Sequence, residues 1–314
     1  MTASKITAVI STLIDSKIPS FLWGPPGIGK SSIIKQIAQD KDMQLIDLRL
    51  SLMDSSELRG IPSFLPKEGD GILFLDELSS ALPTVLAPAY QLILDRQMGE
   101  YKLPDGWAIV VVGSTETDSQ FANHFVHLEM DLDVNDWKDW AFSSGIDERI
   151  IAYIAYKNED LFSFDSTLIQ KSFATPRSWE LVSGILKSGM DENLLLDVIA
   201  GAIGKEIAIS FLSFAKAVEK LPDIESILQK GEADCPNEAD VLYMLSSVLV
   251  SFLLKYNNEE NLENVLKYTL ELEPEFAVMI VQDLQRAGLK MEHLPTFLTW
   301  IRTFADLRAK SCQR

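Results

Sequence analysis

Residues 21–32 read FLWGPPGIGKSS, a short apolar run that passes through two prolines and three glycines into Lys30 and Ser31. From Gly24 onward the spacing is G-x-x-x-x-G-K-S, which is the spacing of a phosphate-binding loop. Glycines let backbone N–H groups turn around a phosphate chain, the lysine reaches the outer phosphates, and the serine hydroxyl can ligate Mg²⁺. The next segment, KSSIIKQIAQD, predicts a helix whose positive N-terminal end faces the anion.

The motif predicts a continuous run of nucleotide-binding residues. An ordinary Gly/Pro turn before a helix is the alternative, but the order strand, loop, Lys-Ser and helix favours a nucleotide site. The predicted nucleotide-binding residues are Gly24, Pro25, Pro26, Gly27, Ile28, Gly29, Lys30, Ser31 and Ser32.

The composition limits the classes of protein that need to be considered. The chain has 314 residues, of which 47% are hydrophobic and 24% are charged, as in an ordinary globular protein. A net charge of -18 disfavours nucleic acid or an anionic membrane as a partner. The sequence contains no stretch resembling a membrane span or a cleaved leader, and its two cysteines, Cys235 and Cys312, have no pairing motif. We therefore expect a soluble, cytoplasmic protein with reduced thiols.

The first part of the chain alternates between predicted strands and helices. Such alternation predicts a parallel sheet covered by helices. A helix is predicted from about residue 84, within 82–99, and ended by Gly99. The predicted strands are 18–24, 43–51, 71–77, 107–113 and 125–132.

From about residue 133 onward nearly every segment has the apolar period of a helix. This pattern predicts that the second half of the chain is all helical. The predicted helices are 145–158, 177–188, 192–218, 238–256, 260–271, 274–287 and 293–310.

A second motif, ILFLDE, places Asp76 and Glu77 at the carboxyl end of a nearly continuous apolar strand. In an open parallel sheet the ligand binds at that edge. Asp76 can hold Mg²⁺ through water or through the Ser31 hydroxyl, and Glu77 can polarise a water toward the γ-phosphate. A surface acid pair at a strand end is the alternative, and the upstream lysine loop favours the functional interpretation.

Together GPPGIGKS, ILFLDE and a later TPRSW resemble the AAA+ ATPases, most of all the MoxR branch. The resemblance implies an α/β fold in which an αβα P-loop nucleotide-binding domain (1–132) precedes an all-α lid (133–218) and a C-terminal helical region (219–314). It also implies ATP and Mg²⁺ as cofactors and a homo-oligomer, usually a hexameric ring. Such proteins act on a client, often through a partner with a von Willebrand factor A domain.

The resemblance also implies roles for single residues outside the two motifs. In WAIVVVGSTETD, Ser114 stands where relatives usually carry an asparagine that orients the attacking water. In FATPRSW, Arg177 matches the sensor-2 arginine that contacts the γ-phosphate, which suits the planar guanidinium. A surface residue at a helix N-terminus is the alternative for Arg177.

One position departs from the pattern of the relatives in its charge. His124, before the strand FVHLE, stands where relatives tend to have an arginine finger that acts on the neighbouring subunit's nucleotide. An imidazole is a poor substitute for a permanent cation. Arg96, Arg149 or Arg59 could supply the charge instead.

Two functions of different classes follow from these residues. The first is an ATPase that remodels or activates a partner protein, which the intact Lys30, Asp76 and Glu77 favour. The second is a nucleotide-binding assembly subunit with weak or no ATPase activity, which Ser114 and His124 favour. A DNA-processing ATPase is disfavoured because the chain is acidic and has no basic stripe.

Overall fold

The computed structural model describes residues 1–53, 65–113, 122–165, 167, 170–256 and 258–311. Two compact units are present, Met1–Asp136 and Trp137–Arg314. The three-part division expected from the resemblance stays a prediction.

The first unit contains a parallel sheet with the strand order β2-β3-β6-β1-β7. Every pair of neighbours in this sheet runs parallel, so the predicted α/β P-loop fold is confirmed. Of its three inner strands, β3 and β6 are apolar runs buried on both faces, as is typical of parallel strands covered by helices. The strands are β1 Ser20–Trp23, β2 Gln44–Arg49, β3 Gly71–Asp76, β6 Trp107–Gly113 and β7 Val126–Glu129.

The strand register brings the ends of the strands to one edge of the sheet. Trp23, which precedes the glycine-rich loop, aligns with Gly113 of β6 and Glu129 of β7. Asp76 at the end of β3 aligns with Arg49 at the end of β2. This carboxyl edge therefore carries both predicted motifs.

Three helices and a small hairpin accompany the sheet in the first unit. The helix predicted to continue to Gly99 ends at Asp95, so that boundary was wrong. Arg96 adopts a left-handed φ of 53°, and its guanidinium donates hydrogen bonds of 2.8 and 2.6 Å to the carbonyls of Pro104 and Trp107. These bonds favour a turn into the hairpin rather than another helical turn. The elements are α1 Ala3–Asp15, α2 Lys30–Asp40, α3 Pro83–Asp95, β4 Gln97–Met98 and β5 Tyr101–Lys102.

The described part of the second unit is helical, as predicted. The single helix expected over 192–218 is wrong, because Gly204 has a φ of 88° and separates two helices. Two helices were not predicted, α4 and α9. The helices are α4 Val134–Ser143, which begins in the last residues of the first unit, α5 Glu148–Tyr156, α6 Pro176–Lys187, α7 Glu192–Ile203, α8 Lys205–Ala215, α9 Ile224–Lys230, α10 Ala239–Lys255, α11 Glu259–Thr269, α12 Pro274–Arg286 and α13 Pro295–Ser311.

Helix α4 shows why an acidic stretch escaped the helical pattern. Its Lys138 is buried and donates a 2.6 Å hydrogen bond to Asp283 of α12, which also accepts a 2.9 Å bond from Ser246 of α10. A charged residue on the inner face of a helix hides the apolar period that sequence reasoning relies on. No helix in the described part of the chain is both long and apolar enough to cross a membrane.

Candidate active site

The loop between β1 and α2 takes a conformation that only glycine adopts easily. Gly24, Gly27 and Gly29 have φ values of 153°, 79° and 100°, which side chains with a Cβ disfavour. A Cβ on Gly24 would also lie 2.8 Å from the Ile28 side chain. Gly29 is the N-cap of α2, and the first helical bond runs from Ile33 to its carbonyl at 3.1 Å. The first N–H groups of an α-helix point out of its N-terminal end, which makes the start of α2 suited to an anion.

Lys30 lies inside this loop and contacts the loop's own backbone. Its ammonium donates hydrogen bonds of 2.7 Å to the Gly24 carbonyl and 2.8 Å to the Pro25 carbonyl. Only 8% of Lys30 is exposed. The positive charge is therefore held at the loop, where it can meet phosphates.

Ser31 and Asp76 come together at the carboxyl edge of the sheet. The Ser31 hydroxyl donates a 3.0 Å hydrogen bond to one Asp76 oxygen, and the Glu77 N–H donates a 2.9 Å bond to the other. Burial raises the pKa of Asp76, the Ser31 hydrogen bond lowers it, and the nearby Glu77 carboxylate raises it further, with a net rise. A bound cation would favour the ionised form of Asp76.

Glu77 has a strained backbone and a specific partner. Its φ of 59° and ψ of 36° lie in the left-handed region, which is uncommon for a residue other than glycine and is often found at functional sites. Its exposed carboxylate accepts a hydrogen bond from the hydroxyl of Ser51, just beyond β2. This bond orients the carboxylate toward β2.

Ser51 is a candidate functional residue that sequence reasoning missed. It belongs to no motif and lies 26 residues from Glu77 along the chain. The available signal was its place after a strand of a parallel sheet, because polar residues after such strands share the ligand edge.

Arg177 lies in the first turn of α6, where the neighbouring residues cap the helix or are buried. In the TPRSW segment, the side chains of Thr175 and Ser178 form a capping box, and Pro176 occupies the first turn. Thr175, Pro176, Ser178 and Trp179 are buried, whereas Arg177 is exposed. Arg177 is thus the one residue of the TPRSW segment whose side chain is exposed.

Two further residues, Ser114 and His124, were predicted to act at the site. Ser114 lies outside the described residues. His124 is exposed in a short 3₁₀ turn just before β7. Because β7 begins opposite Ser20 at the amino ends of the strands, His124 lies at the edge opposite the glycine-rich loop. His124 is therefore remote from the glycine-rich loop of its own chain.

The alternative arginines are bound within their own units. The Arg96 guanidinium is held by the two backbone carbonyls described above. Arg149 makes a bidentate pair with Asp147 at 2.9 and 2.8 Å, and this hydrogen bonding raises the pKa of Arg149. Arg59 lies outside the described residues. These contacts disfavour Arg96 and Arg149 as arginine fingers.

Residues 20–128 match the family described as ATPase family associated with various cellular activities (AAA). The match contains the glycine-rich loop, Asp76 and Glu77, and shows an AAA-type ATPase domain in this part of the chain. The MoxR branch is not distinguished by this match.

Curated relatives align over a similar length. The Lon protease of Mycoplasma mobile is 31% identical over 116 residues, and that of Rickettsia conorii is 29% identical over 114 residues. Each alignment covers 35% of this chain but only 13% and 14% of the two relatives.

Solved structures with similar folds are more distant in sequence. The RuvB Holliday junction branch migration motor of Thermotoga maritima aligns over 91% of this chain and 86% of that chain, at 16% identity and a TM-score of 0.41. PCH-2 of C. elegans aligns over 69% of each chain, at 12% identity and a TM-score of 0.39. The fold assignment rests on the strand order and the family match.

The residues present at the carboxyl edge suit a nucleotide triphosphate with Mg²⁺. Three glycines with positive φ shape the loop, and Lys30 places a cation beside it. The adjacent Ser31 hydroxyl and Asp76 carboxylate are oxygen ligands, which Mg²⁺ prefers. We therefore regard this edge as a candidate ATPase site.

Proposed function

We propose that the chain is an ATPase of the MoxR branch of the AAA+ proteins, which binds and hydrolyses ATP with Mg²⁺ to remodel or activate a partner protein. It works as a homo-oligomeric ring, usually a hexamer in this branch, and a protein with a von Willebrand factor A domain is a candidate partner. The juxtaposition of Lys30, Ser31, Asp76 and Glu77 at one edge of the sheet carries this proposal.

The proposed mechanism assigns each polar group one task. Loop N–H groups and Lys30 bind the phosphates, while Ser31 and Asp76 hold Mg²⁺, which neutralises charge on the phosphate oxygens when bound. Glu77 polarises the attacking water once its carboxylate leaves the Ser51 hydroxyl. Arg177 adds a planar cation to the outer phosphate.

A second candidate function is a nucleotide-binding assembly subunit that turns ATP over slowly. His124 supports it, because an imidazole replaces the permanent cation of an arginine finger. Two of the arginines that could replace it are bound within their own units. Ser114 at the sensor-1 position supports the same alternative.

The experiment that tests nucleotide binding is calorimetric titration of the full chain with ATP and Mg²⁺. Lys30→Ala should lower ATP affinity by about 100-fold or more, because it removes the charge that meets the outer phosphates. Lys35→Ala is the matched control, since Lys35 lies on the same helix and pairs at 3.3 Å with Asp47. Unchanged affinity in Lys30→Ala, or equal losses in both variants, would refute the phosphate-loop assignment.

Steady-state hydrolysis separates the two candidate functions. Turnover per subunit that rises with protein concentration is expected if a neighbouring copy completes the site. Tight ATP binding without measurable turnover at any concentration would favour the assembly subunit.

A further inference from the structure

We propose that Trp179 is a positioning residue for Arg177, and that its hydrogen bond to the backbone of Asp160 fixes the direction in which the guanidinium is presented. This inference rests on the proposed role of Arg177 as a phosphate ligand. It adds a residue to the site that does not itself touch the nucleotide.

The start of α6 is already capped without Trp179. The Thr175 side chain accepts a 3.1 Å hydrogen bond from the Ser178 N–H, and the Ser178 hydroxyl accepts a 2.7 Å bond from the Thr175 N–H. This reciprocal pair satisfies the helix terminus. Helix formation therefore does not require the indole N–H.

The indole of Trp179 connects α6 to a separate segment. Its Nε1 donates a 2.9 Å hydrogen bond to the Asp160 carbonyl, and the side chain is fully buried. The ring contacts Tyr153 of α5 and Phe211 of α8, at centroid distances of 5.7 and 5.4 Å. The hydrogen bond and the ring contacts oppose rotation and translation of the first turn of α6.

The acceptor is itself held in place by side chains. The Asp160 carboxylate accepts a hydrogen bond from the Tyr153 hydroxyl and forms a 2.8 Å ion pair with Lys157. The Ser163 N–H donates a 2.9 Å hydrogen bond to the Ala174 carbonyl, and the Ser163 hydroxyl accepts a 2.9 Å bond from the Ala174 N–H. These two bonds hold the chain before α6 in place. A backbone carbonyl supported in this way is a fixed point for the indole.

Helix geometry relates this anchor to Arg177. Trp179 follows Arg177 by two residues, which corresponds to a rotation of about 200° around the helix axis. The two side chains therefore point in nearly opposite directions, Trp179 inward and Arg177 outward, as their burial confirms. Loss of the inward anchor would let the outward side chain change direction.

The experiment is a double-mutant cycle on ATP affinity and turnover, measured in the full chain. Trp179→Phe keeps a ring but removes the N–H donor. We expect it to lower kcat/KM about five- to tenfold where Arg177 is present, and less than twofold in the Arg177→Ala background. A merely structural role would produce the same loss in both backgrounds.

Trp300→Phe is the matched control. Trp300 is 1% exposed, and its indole N–H has no hydrogen-bond partner in the described part of the chain. The control should lower the melting temperature as Trp179→Phe does, yet leave kcat/KM within about twofold of the parent. Equal losses of kcat/KM in the control and in Trp179→Phe would overturn the inference.

Two further outcomes keep the test informative. If Trp179→Phe does not fold, Tyr153→Phe removes only the hydroxyl that holds Asp160, and its loss of kcat/KM should likewise depend on Arg177. A loss independent of Arg177 would overturn the inference while the phosphate role of Arg177 stands. Parental kinetics in Arg177→Ala would refute both that role and the inference, but would leave the Lys30 loop untouched.

Discussion

Asp76 is partly buried, and burial disfavours its ionised form, which is the form that binds a cation. Its raised pKa reflects burial first and the neighbouring Glu77 carboxylate as a further cause, against the stabilising Ser31 hydrogen bond. A carboxylate whose folded pKa exceeds its unfolded value costs stability once it ionises. The ionised Asp76 carboxylate therefore lowers the stability of the nucleotide-free protein.

Asp76→Asn should stabilise the protein without nucleotide and abolish stabilisation by ATP with Mg²⁺. We expect the melting temperature at pH 7 to rise by about 1–3 °C, because the amide oxygen can still accept from the Glu77 N–H and the amide NH2 can donate to the Ser31 hydroxyl oxygen, without the charge. The gain should shrink as the pH falls toward the ordinary aspartate range, where the parent carboxyl is protonated. Thermal melts across pH, with and without ATP, provide the measurement, and a lower melting temperature at pH 7 would contradict this account.

Glu77→Gln separates binding from hydrolysis. The amide retains shape but cannot polarise water as a carboxylate does, so turnover should fall about 10²- to 10³-fold while ATP affinity is kept. Glu100→Gln, at an exposed glutamate of the hairpin turn, is the control. Hydrolysis by Glu77→Gln at the parent rate would show that another group positions the water.

At the scale of elements, the buried Lys138 and Asp283 pair joins α4 to α12. Their side chains are 8% and 6% exposed, and Ser246 of α10 completes the hydrogen bonding of the carboxylate. Removing one partner leaves a charge buried without compensation, which costs more than the pair contributes. The three helices are therefore coupled through one carboxylate.

Lys138→Met should destabilise the chain by about 3–5 kcal/mol, whereas Lys138→Met combined with Asp283→Leu should recover most of that loss. Urea unfolding of the single and double variants gives the coupling energy. Lys220→Met is the comparison, since Lys220 and Glu238 are 4.0 Å apart and more than half exposed, and its cost should stay below about 1 kcal/mol. A double variant no more stable than Lys138→Met would contradict the coupling.

At the scale of the whole molecule, the proposed role of His124 depends on assembly of several copies, because His124 is remote from the glycine-rich loop of its own chain. It lies at the sheet edge opposite the glycine-rich loop, and in the proposed ring it would act on the nucleotide of a neighbouring copy. A permanent cation beside the transferring phosphoryl group stabilises the transition state of phosphoryl transfer.

His124→Arg should raise ATP turnover in assembled protein, and a tenfold gain would equal about 1.4 kcal/mol of transition-state stabilisation. The gain should vanish on dilution, because it requires a second copy. Asn123→Arg adds the same charge at the exposed neighbouring residue and should have little effect. A stable, assembled His124→Arg variant with parental turnover at every protein concentration would remove residue 124 from the site.

The predictions that the structure confirmed depend on residues close together in the chain. The glycine-rich loop, the burial of β3, and the helical second half follow from local backbone preferences and the period of apolar residues. Helix ends were less predictable, because Arg96 ends α3 through contacts with carbonyls near β6. Ser114 and the roles of Arg177 and His124 stay predictions.

The sequence by itself determined the class of fold and the position of the glycine-rich loop, since spacing and burial pattern are encoded over a few residues. Only the tertiary structure placed Ser51 on Glu77, 26 residues away, and Lys138 on Asp283, 145 residues away. It also bound Arg96 and Arg149 to partners within their own units. The physical reason is that hydrogen bonds and ion pairs depend on distance in space, and a folded chain brings together residues whose separation in sequence carries no periodic signal.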